Sequence, residues 1–356
     1  MNKKTLLTLL QIAITAGILA WLFRDGETDR KILQALSHAD LGWLATAFGC
    51  FAVVEVAGIT RWQILLRVQG IHIGWWRLAA LFLIGVLFNP FLPGGTGGDV
   101  AKIFYLLKET PERKPAAMLA VLMDRLIGLF GVIVIAGLVI ALRYQWLTQT
   151  SATATLLYTL LAIFAGSLGF IVVSFAVTGL GLVHKLPSKM PMRNVLVDLS
   201  VAYAQYARAW KASLLGLLLC VPVQLSAFTL SYCVGRAFTE SASRGTLMDY
   251  WGIMPIVGTI AAIPVSIGGT GVREGLFVQL LGDLCGIARE SALTISLTNY
   301  AVLIAWSLVG GVVYLLYRPS GHARVADMNQ EVSEVEHEIA ETEEAAENPT
   351  PIREHP

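Results

Sequence analysis

The sequence predicts an all-α polytopic membrane protein, and three observations carry that reading. Of 356 residues, 55% are hydrophobic and only 14% charged, with a mean hydropathy of +0.65; a soluble domain carries about a quarter charged residues. Apolar runs near 5–23, 41–66, 116–142, 154–178, 212–234 and 291–317 approach or exceed the roughly 20 residues that a helix needs to cross a bilayer. No stretch alternates apolar and polar residues as a barrel strand does.

The elements follow in order. Lys3 and Lys4 precede the apolar run 5–23, which is longer than a signal-peptide core and lacks a small-x-small cleavage site before Arg24-Asp25; it is expected to be a retained first span. The segments 78–92 and 250–266 are apolar but shorter, and each is followed by a Gly-rich break and a short amphipathic piece, 99–108 and 274–282. From 318 onward the chain changes character. Between Asp327 and Glu347 it carries nine carboxylates and no Lys or Arg, a composition that stays solvated.

Loop charges set an expected orientation. If 78–92 and 250–266 dip in and return through the short helices after them, fifteen Lys and Arg fall on one side and seven on the other. The richer side is cytoplasmic by the positive-inside rule. Six full crossings result, with both termini in the cytoplasm. A net charge of +1 gives no basic balance pointing to nucleic acid. Cys50, Cys220, Cys233 and Cys285 are scattered in apolar segments and read as small buried hydrophobes. The six histidines form no metal-ligand spacing, so neither a metal nor another cofactor is expected.

The two Gly-rich breaks are related. Pro90, Gly94, Gly95, Thr96 and Gly97 match Pro264, Gly268, Gly269, Thr270 and Gly271 at a constant offset of 174, and Leu106-Leu107 matches Leu280-Leu281. With the topology above, the units 41–142 and 212–317 enter from opposite faces, joined by one crossing at 154–178. Oppositely oriented re-entrant broken helices are the arrangement of inverted-repeat transporters, whose substrate sites lie where the breaks meet near the midplane. Irregular backbone at that depth must be buried in protein or line a wet cavity. A short helix beginning after each turn presents its positive N-terminus, which suits a phosphate or carboxylate. GGTGGDVAK lacks the GK[ST] of a nucleotide-binding loop. The expected site therefore comprises Gly94, Gly95, Thr96, Gly97, Gly98 and Asp99 with Gly268, Gly269, Thr270, Gly271, Arg273 and Glu274.

Ionisable residues inside apolar segments are costly and so are candidates by default. Asp99 can cap its helix, or pair with Arg273 across the repeat; Arg273 can grip a phosphate with two hydrogen bonds. Asp124 and Arg125 diverge by about 100° on a helix, so at least one needs a partner elsewhere. Glu55 is a coupling or structural carboxylate in mid-helix, and Arg61 is expected to snorkel to the cytoplasmic face. Gln224 and Asn299-Tyr300 read as helix–helix hydrogen-bonding groups.

The stretches NPFLPGGTGGDVAKIFYLL, MDRLIGLFG and IPVSIGGTGVREGLF together resemble the transmembrane flippase-like domain of lysylphosphatidylglycerol synthases and its stand-alone relatives. The resemblance spans roughly 5–317. It implies a transmembrane domain over 1–317 that moves a polar-headgroup lipid between leaflets without a cofactor, and an acidic cytoplasmic tail over 318–356. By motif it carries over Asn89, Pro93, Gly94, Gly97, Gly98, Asp99, Asp124, Arg125, Gly268, Gly269, Gly271, Arg273 and Glu274; Asp124 stands where the family commonly has Glu. A soluble aminoacyl-transfer domain has no room after Tyr317, so synthesis of a lysyl-lipid is not implied.

The expectation is a translocase for a phosphate-headgroup or polyprenyl-linked lipid, with an anionic membrane lipid as partner and no catalytic residue. The alternatives are a membrane-embedded enzyme, or an accessory subunit of lipid or glycolipid (hopanoid or polyprenyl-sugar) biosynthesis that docks a synthase through the acidic tail.

Overall fold

The computed structural model describes residues 38–89, 97–179, 205–238, 245–262 and 269–317. The first apolar run, the acidic tail, and Gly94, Gly95, Thr96 and Gly268 lie outside these residues. The described chain is helical, in the order α1 (Leu41–Val68), α2 (Trp75–Phe88), α3 (Gly97–Glu109), α4 (Lys114–Leu147), α5 (Ser151–Gly179), α6 (Trp210–Leu218), α7 (Cys220–Ala237), α8 (Leu247–Ala261), α9 (Val272–Cys285) and α10 (Arg289–Leu316).

Local chemistry explains where these helices begin and end. Asp40 Oδ1 accepts from Gly42 N at 2.7 Å and caps α1. Pro115 sits in the first turn of α4, where its missing N–H costs nothing. Thr246 and Asp249 form a reciprocal capping box at α8, and Gly286, at φ 63°, ends α9 in the left-handed region. Helices α6 and α7 meet at Leu219 and run on as one 28-residue span. Pro222 cannot donate to Leu218 O, which loosens the ladder there.

Among the described residues, five stretches are long and apolar enough to cross a membrane: α1, α4, α5, α6–α7 and α10. Their outward faces carry large apolar side chains, among them Leu142 (71% exposed), Phe170 (68%) and Leu315 (80%); a surface of that kind needs lipid around it. Helices α2 and α8 have 14 and 15 residues. At 1.5 Å per residue they reach about 21–23 Å, short of a hydrocarbon core about 30 Å thick.

Both short helices belong to hairpins that return to where they start. At the mouth of α2–α3, Arg77 Nη2 donates to Glu109 Oε1 at 2.7 Å, and Tyr317 OH from the end of α10 donates to the same oxygen at 2.6 Å. At the mouth of α8–α9, a Cβ on Gly245 would stand 3.9 Å from Cys285 Sγ. The end of α4 closes this mouth through the Arg143–Asp249 ion pair.

Helices α1 and α7 pack antiparallel. Asp40 N donates to Ala237 O (2.8 Å) at one end of the pair, and Arg61 Nη1 donates to Cys220 Sγ (3.4 Å) toward the other. The chain leaves α1 and α7 at opposite ends, so the two hairpins open in opposite directions. Each has its own packed centre. Trp62, Leu78, Leu81, Ile84 and Leu106 close around α2–α3, and Tyr250, Ile253, Phe277, Leu280 and Ile295 close around α8–α9.

Lipid tails are as apolar as leucine, so helix association here depends on close fit. One close fit is between α10 and α2, where a Cβ on Gly310 would stand 2.2 Å from the backbone oxygen of Leu83. Ser307 Oγ donates to Val86 O at 3.2 Å beside it. Gly310→Ala is expected to lower stability in detergent by about 2 kcal/mol, the cost of overpacking. Gly137→Ala, at a position with nothing within 4 Å, is expected to be neutral or stabilising. Thermal unfolding of the two variants compares them directly.

Candidate functional site

The first Gly-rich break is held by its flanks. Asn89, at the end of α2, accepts from Gly98 N through Oδ1 at 3.1 Å. A Cβ on Gly98 would lie 2.2 Å from that oxygen and 2.6 Å from Gly85 O, so only glycine lets α3 begin against α2. In the second break, Gly269 (φ 73°) and Gly271 (φ 86°) adopt left-handed backbone, and a Cβ on Gly269 would meet Ala261 O at 2.7 Å. Gly98 is thus required by close approach, Gly271 by positive φ, and Gly269 by both.

From these turns α3 and α9 begin deep in the fold. Asp99 lies ten residues from the outer end of α3, about 15 Å along the axis, and Arg125 lies eleven residues into α4, about 16 Å. The two form an ion pair. Asp124 faces the other way and receives a bidentate grip from Arg61, Nε to Oδ1 at 2.7 Å and Nη2 to Oδ2 at 3.1 Å. Adjacent residues on α4 therefore tie it to α1 on one side and to the broken segment on the other.

Three expectations are corrected. Asp99 pairs with Arg125, not Arg273. Arg61 does not snorkel: its side chain is 10% exposed against Asp124, because α4 brings a carboxylate to its level. Lys102, one of the fifteen Lys and Arg assigned to the richer set of loops, is no loop charge but lies within α3. It is buried, one turn beyond Asp99, with Nζ 3.4 Å above the Phe82 ring, a desolvated cation–π contact. Glu55, halfway along α1, is 5% exposed, and its Oε2 has no hydrogen-bond partner. Lys102 is the residue that the sequence reading did not single out, and Arg61 the one whose partner it did not find. The available signal for Lys102 was its place one turn after Asp99 on a helix whose other face is apolar.

The second unit builds a different centre at equivalent positions. The offset of 174 carries Asp99 to Arg273 and Arg125 to Asn299. The Arg273 guanidinium stacks over Tyr300 at 4.4 Å and pairs with Glu274. Glu274 is fully buried. Its Oε2 accepts from Gly271 N at 2.5 Å and its Oε1 from Ser296 Oγ at 3.4 Å. This carboxylate occupies the α9 N-terminus, so the positive end of that helix is already answered from within the chain. Asn299 Oδ1 accepts from Ser231 Oγ at 3.0 Å, a neutral helix–helix bond.

The two pairs in the first unit differ in what they can do. Arg61–Asp124 is buried and geometrically complete. Arg125 has a side chain 55% exposed, against 17% for Asp99, and keeps guanidinium donors available on its open side. Gly94, Gly95, Thr96 and Gly268 fall outside the described residues; of the expected Gly-rich turns, Gly97, Gly98, Gly269, Thr270 and Gly271 are described.

Asp124→Asn is expected to cost about 3 kcal/mol, because it leaves Arg61 buried with no charge partner; the double variant Arg61→Met/Asp124→Leu should recover most of that. Asp99→Asn, in the more exposed pair, should cost about 1 kcal/mol or less. Denaturation of the purified variants in detergent measures all three.

Comparison with known proteins agrees with this architecture. The family model described as the lysylphosphatidylglycerol synthase TM region matches residues 8–311. The UPF0104 membrane protein MJ1595 of Methanocaldococcus jannaschii is 23% identical over 167 residues, covering 46% of this chain and 48% of that protein. The chain thus spans about half the length of this curated relative. No solved structure matches. The family model takes in both hairpins and all five described spans except the last turns of α10, and the chain belongs to the lysylphosphatidylglycerol synthase TM region family.

Proposed function

We propose that this multi-pass membrane protein is a lipid translocase that passes a phosphate-headgroup lipid between leaflets, with Arg125 as the headgroup's station near the midplane. One observation carries the reading: an arginine about 16 Å into a membrane helix keeps more than half of its side-chain surface open. A guanidinium at that depth is not left bare against lipid tails; it faces water, a partner or a ligand. Its one partner in the pair, Asp99, leaves donors free in the fork geometry that suits a phosphate.

The hairpins support the same reading. Two helix pairs too short to cross, opening in opposite directions, fit re-entrant elements of an inverted repeat, with units near 41–142 and 212–317 inside a transmembrane domain 1–317. Arg273 is a weaker station than Arg125, because Glu274 and Tyr300 already engage it. We place the protein in the cytoplasmic (inner) membrane with both termini cytoplasmic, from the excess of Lys and Arg on one set of loops.

The test is a proteoliposome assay with a fluorescent anionic phospholipid and a membrane-impermeant quencher. The wild-type protein is expected to speed transbilayer exchange, and Arg125→Ala to slow it by about 10- to 100-fold, the loss of a charge-assisted hydrogen bond or two. Arg125→Lys should retain part of the rate, because it keeps the charge and loses the fork. Exchange that is absent in the wild type, or equal in wild type and Arg125→Ala, would overturn the proposal.

A further inference from the structure

The charges gathered between α1, α3 and α4 balance. Among the described residues, Glu55, Asp99 and Asp124 stand against Arg61, Lys102 and Arg125. The turn 90–96 adds no charge, and neither does α10 between 291 and 313 nor α2 between 78 and 88. From α7, Cys220 meets Arg61 as a thiol. On α6, Lys211 lies at the outer end over Trp210, away from Gly216, the residue that approaches Arg61.

Four of the six charged groups are committed to two ion pairs. The other two are Lys102, which rests on the Phe82 ring, and Glu55, which shares the electrostatic field of Lys102. Glu55 is 95% buried by its 5% exposure, and one of its oxygens is bare of hydrogen bonds.

A balanced cluster packed among membrane helices disfavours an uncompensated anionic ligand. When one negative headgroup enters, the site becomes net negative in a medium that penalises uncompensated charge. The compensation is a cation bound alongside or a proton taken up. Asp124 is gripped by the bidentate Arg61 guanidinium and Asp99 by Arg125, so a cation of the chain already engages each of them. Glu55 has no guanidinium and has a free oxygen for a hydrogen.

We propose that Glu55 takes up one proton when an anionic headgroup binds at Arg125 and releases it when the headgroup leaves. This rests on the headgroup reading above and extends it from a binding station to a proton-linked one. The step balances simply: a solvent proton bonds to Glu55 Oε2, the carboxylate becomes a carboxylic acid, and no other bond breaks.

Calorimetric titration of the full chain in nanodiscs tests the proposal, using water-soluble dihexanoyl phosphatidylglycerol in two buffers of different ionisation enthalpy at one pH. The difference in heats between buffers counts protons exchanged on binding. About one proton should be taken up per phosphatidylglycerol bound, and about none per zwitterionic dihexanoyl phosphatidylcholine. Glu55→Gln, a near-isosteric stand-in for the protonated acid, should bind phosphatidylglycerol with uptake near zero. Binding by the wild type without proton uptake overturns the inference and leaves the headgroup station standing, as does equal uptake in Glu55→Gln. Absence of phosphatidylglycerol binding overturns both. A wild-type count near zero overturns the inference without any variant, and the Glu55→Gln count is taken per phosphatidylglycerol bound, so it reads only folded, binding-competent protein.

Discussion

A charge buried among membrane helices has no water to fall back on, and the pairing this imposes on α4 organises the first half of the molecule. Asp124 and Arg125 are neighbours on one helix, pointing about 100° apart. One binds α1 through Arg61 and the other binds the start of α3 through Asp99. A long crossing helix is thereby tied to another crossing helix and to a broken one at the same depth. The hairpin α2–α3 is too short to anchor itself across the membrane; its inner end is held by this pair, and its mouth by Arg77, Glu109 and Tyr317.

The second unit meets the same requirement with fewer charges. Glu274 caps α9 from inside, Arg273 lies on Tyr300, and Ser231 and Asn299 replace the buried ion pair between crossing helices. The consequence is asymmetric. The turn before α9 is sealed by the chain's own carboxylate, whereas the turn before α3 is flanked by an arginine open on one side. Among the described residues at the two helix starts, Arg125 is the more exposed arginine, at 55% against 15% for Arg273.

Much of this was legible in the sequence, and the rest was not for physical reasons. Apolar length located the five described spans to within a few residues, because that length is dictated by bilayer thickness. The divergence of Asp124 and Arg125 followed from helix geometry alone. Their partners did not, since Arg61 is 63 residues from Asp124 and its position near the end of α1 is equally that of a snorkelling arginine. Lys102 looked like a loop charge because a lysine's burial depends on which aromatic face the fold brings over it, here Phe82 from another helix. The expected Asp99–Arg273 contact failed because each broken segment is anchored on the long helix that follows it in its own unit. Internal likeness shows which positions are equivalent and says nothing of which positions touch.

The central claim is that the open side of Arg125 is where a headgroup sits, and direct observation tests it most sharply. A density map of the full chain in nanodiscs of anionic phospholipid, resolved well enough to see side chains, would show what occupies that side. The account predicts phosphate-sized density within hydrogen-bonding distance of the Arg125 guanidinium, with its acyl chains leading out between helices toward the bilayer. Arg125 closed over by the chain's own polar groups, with no lipid headgroup at its level, would contradict it.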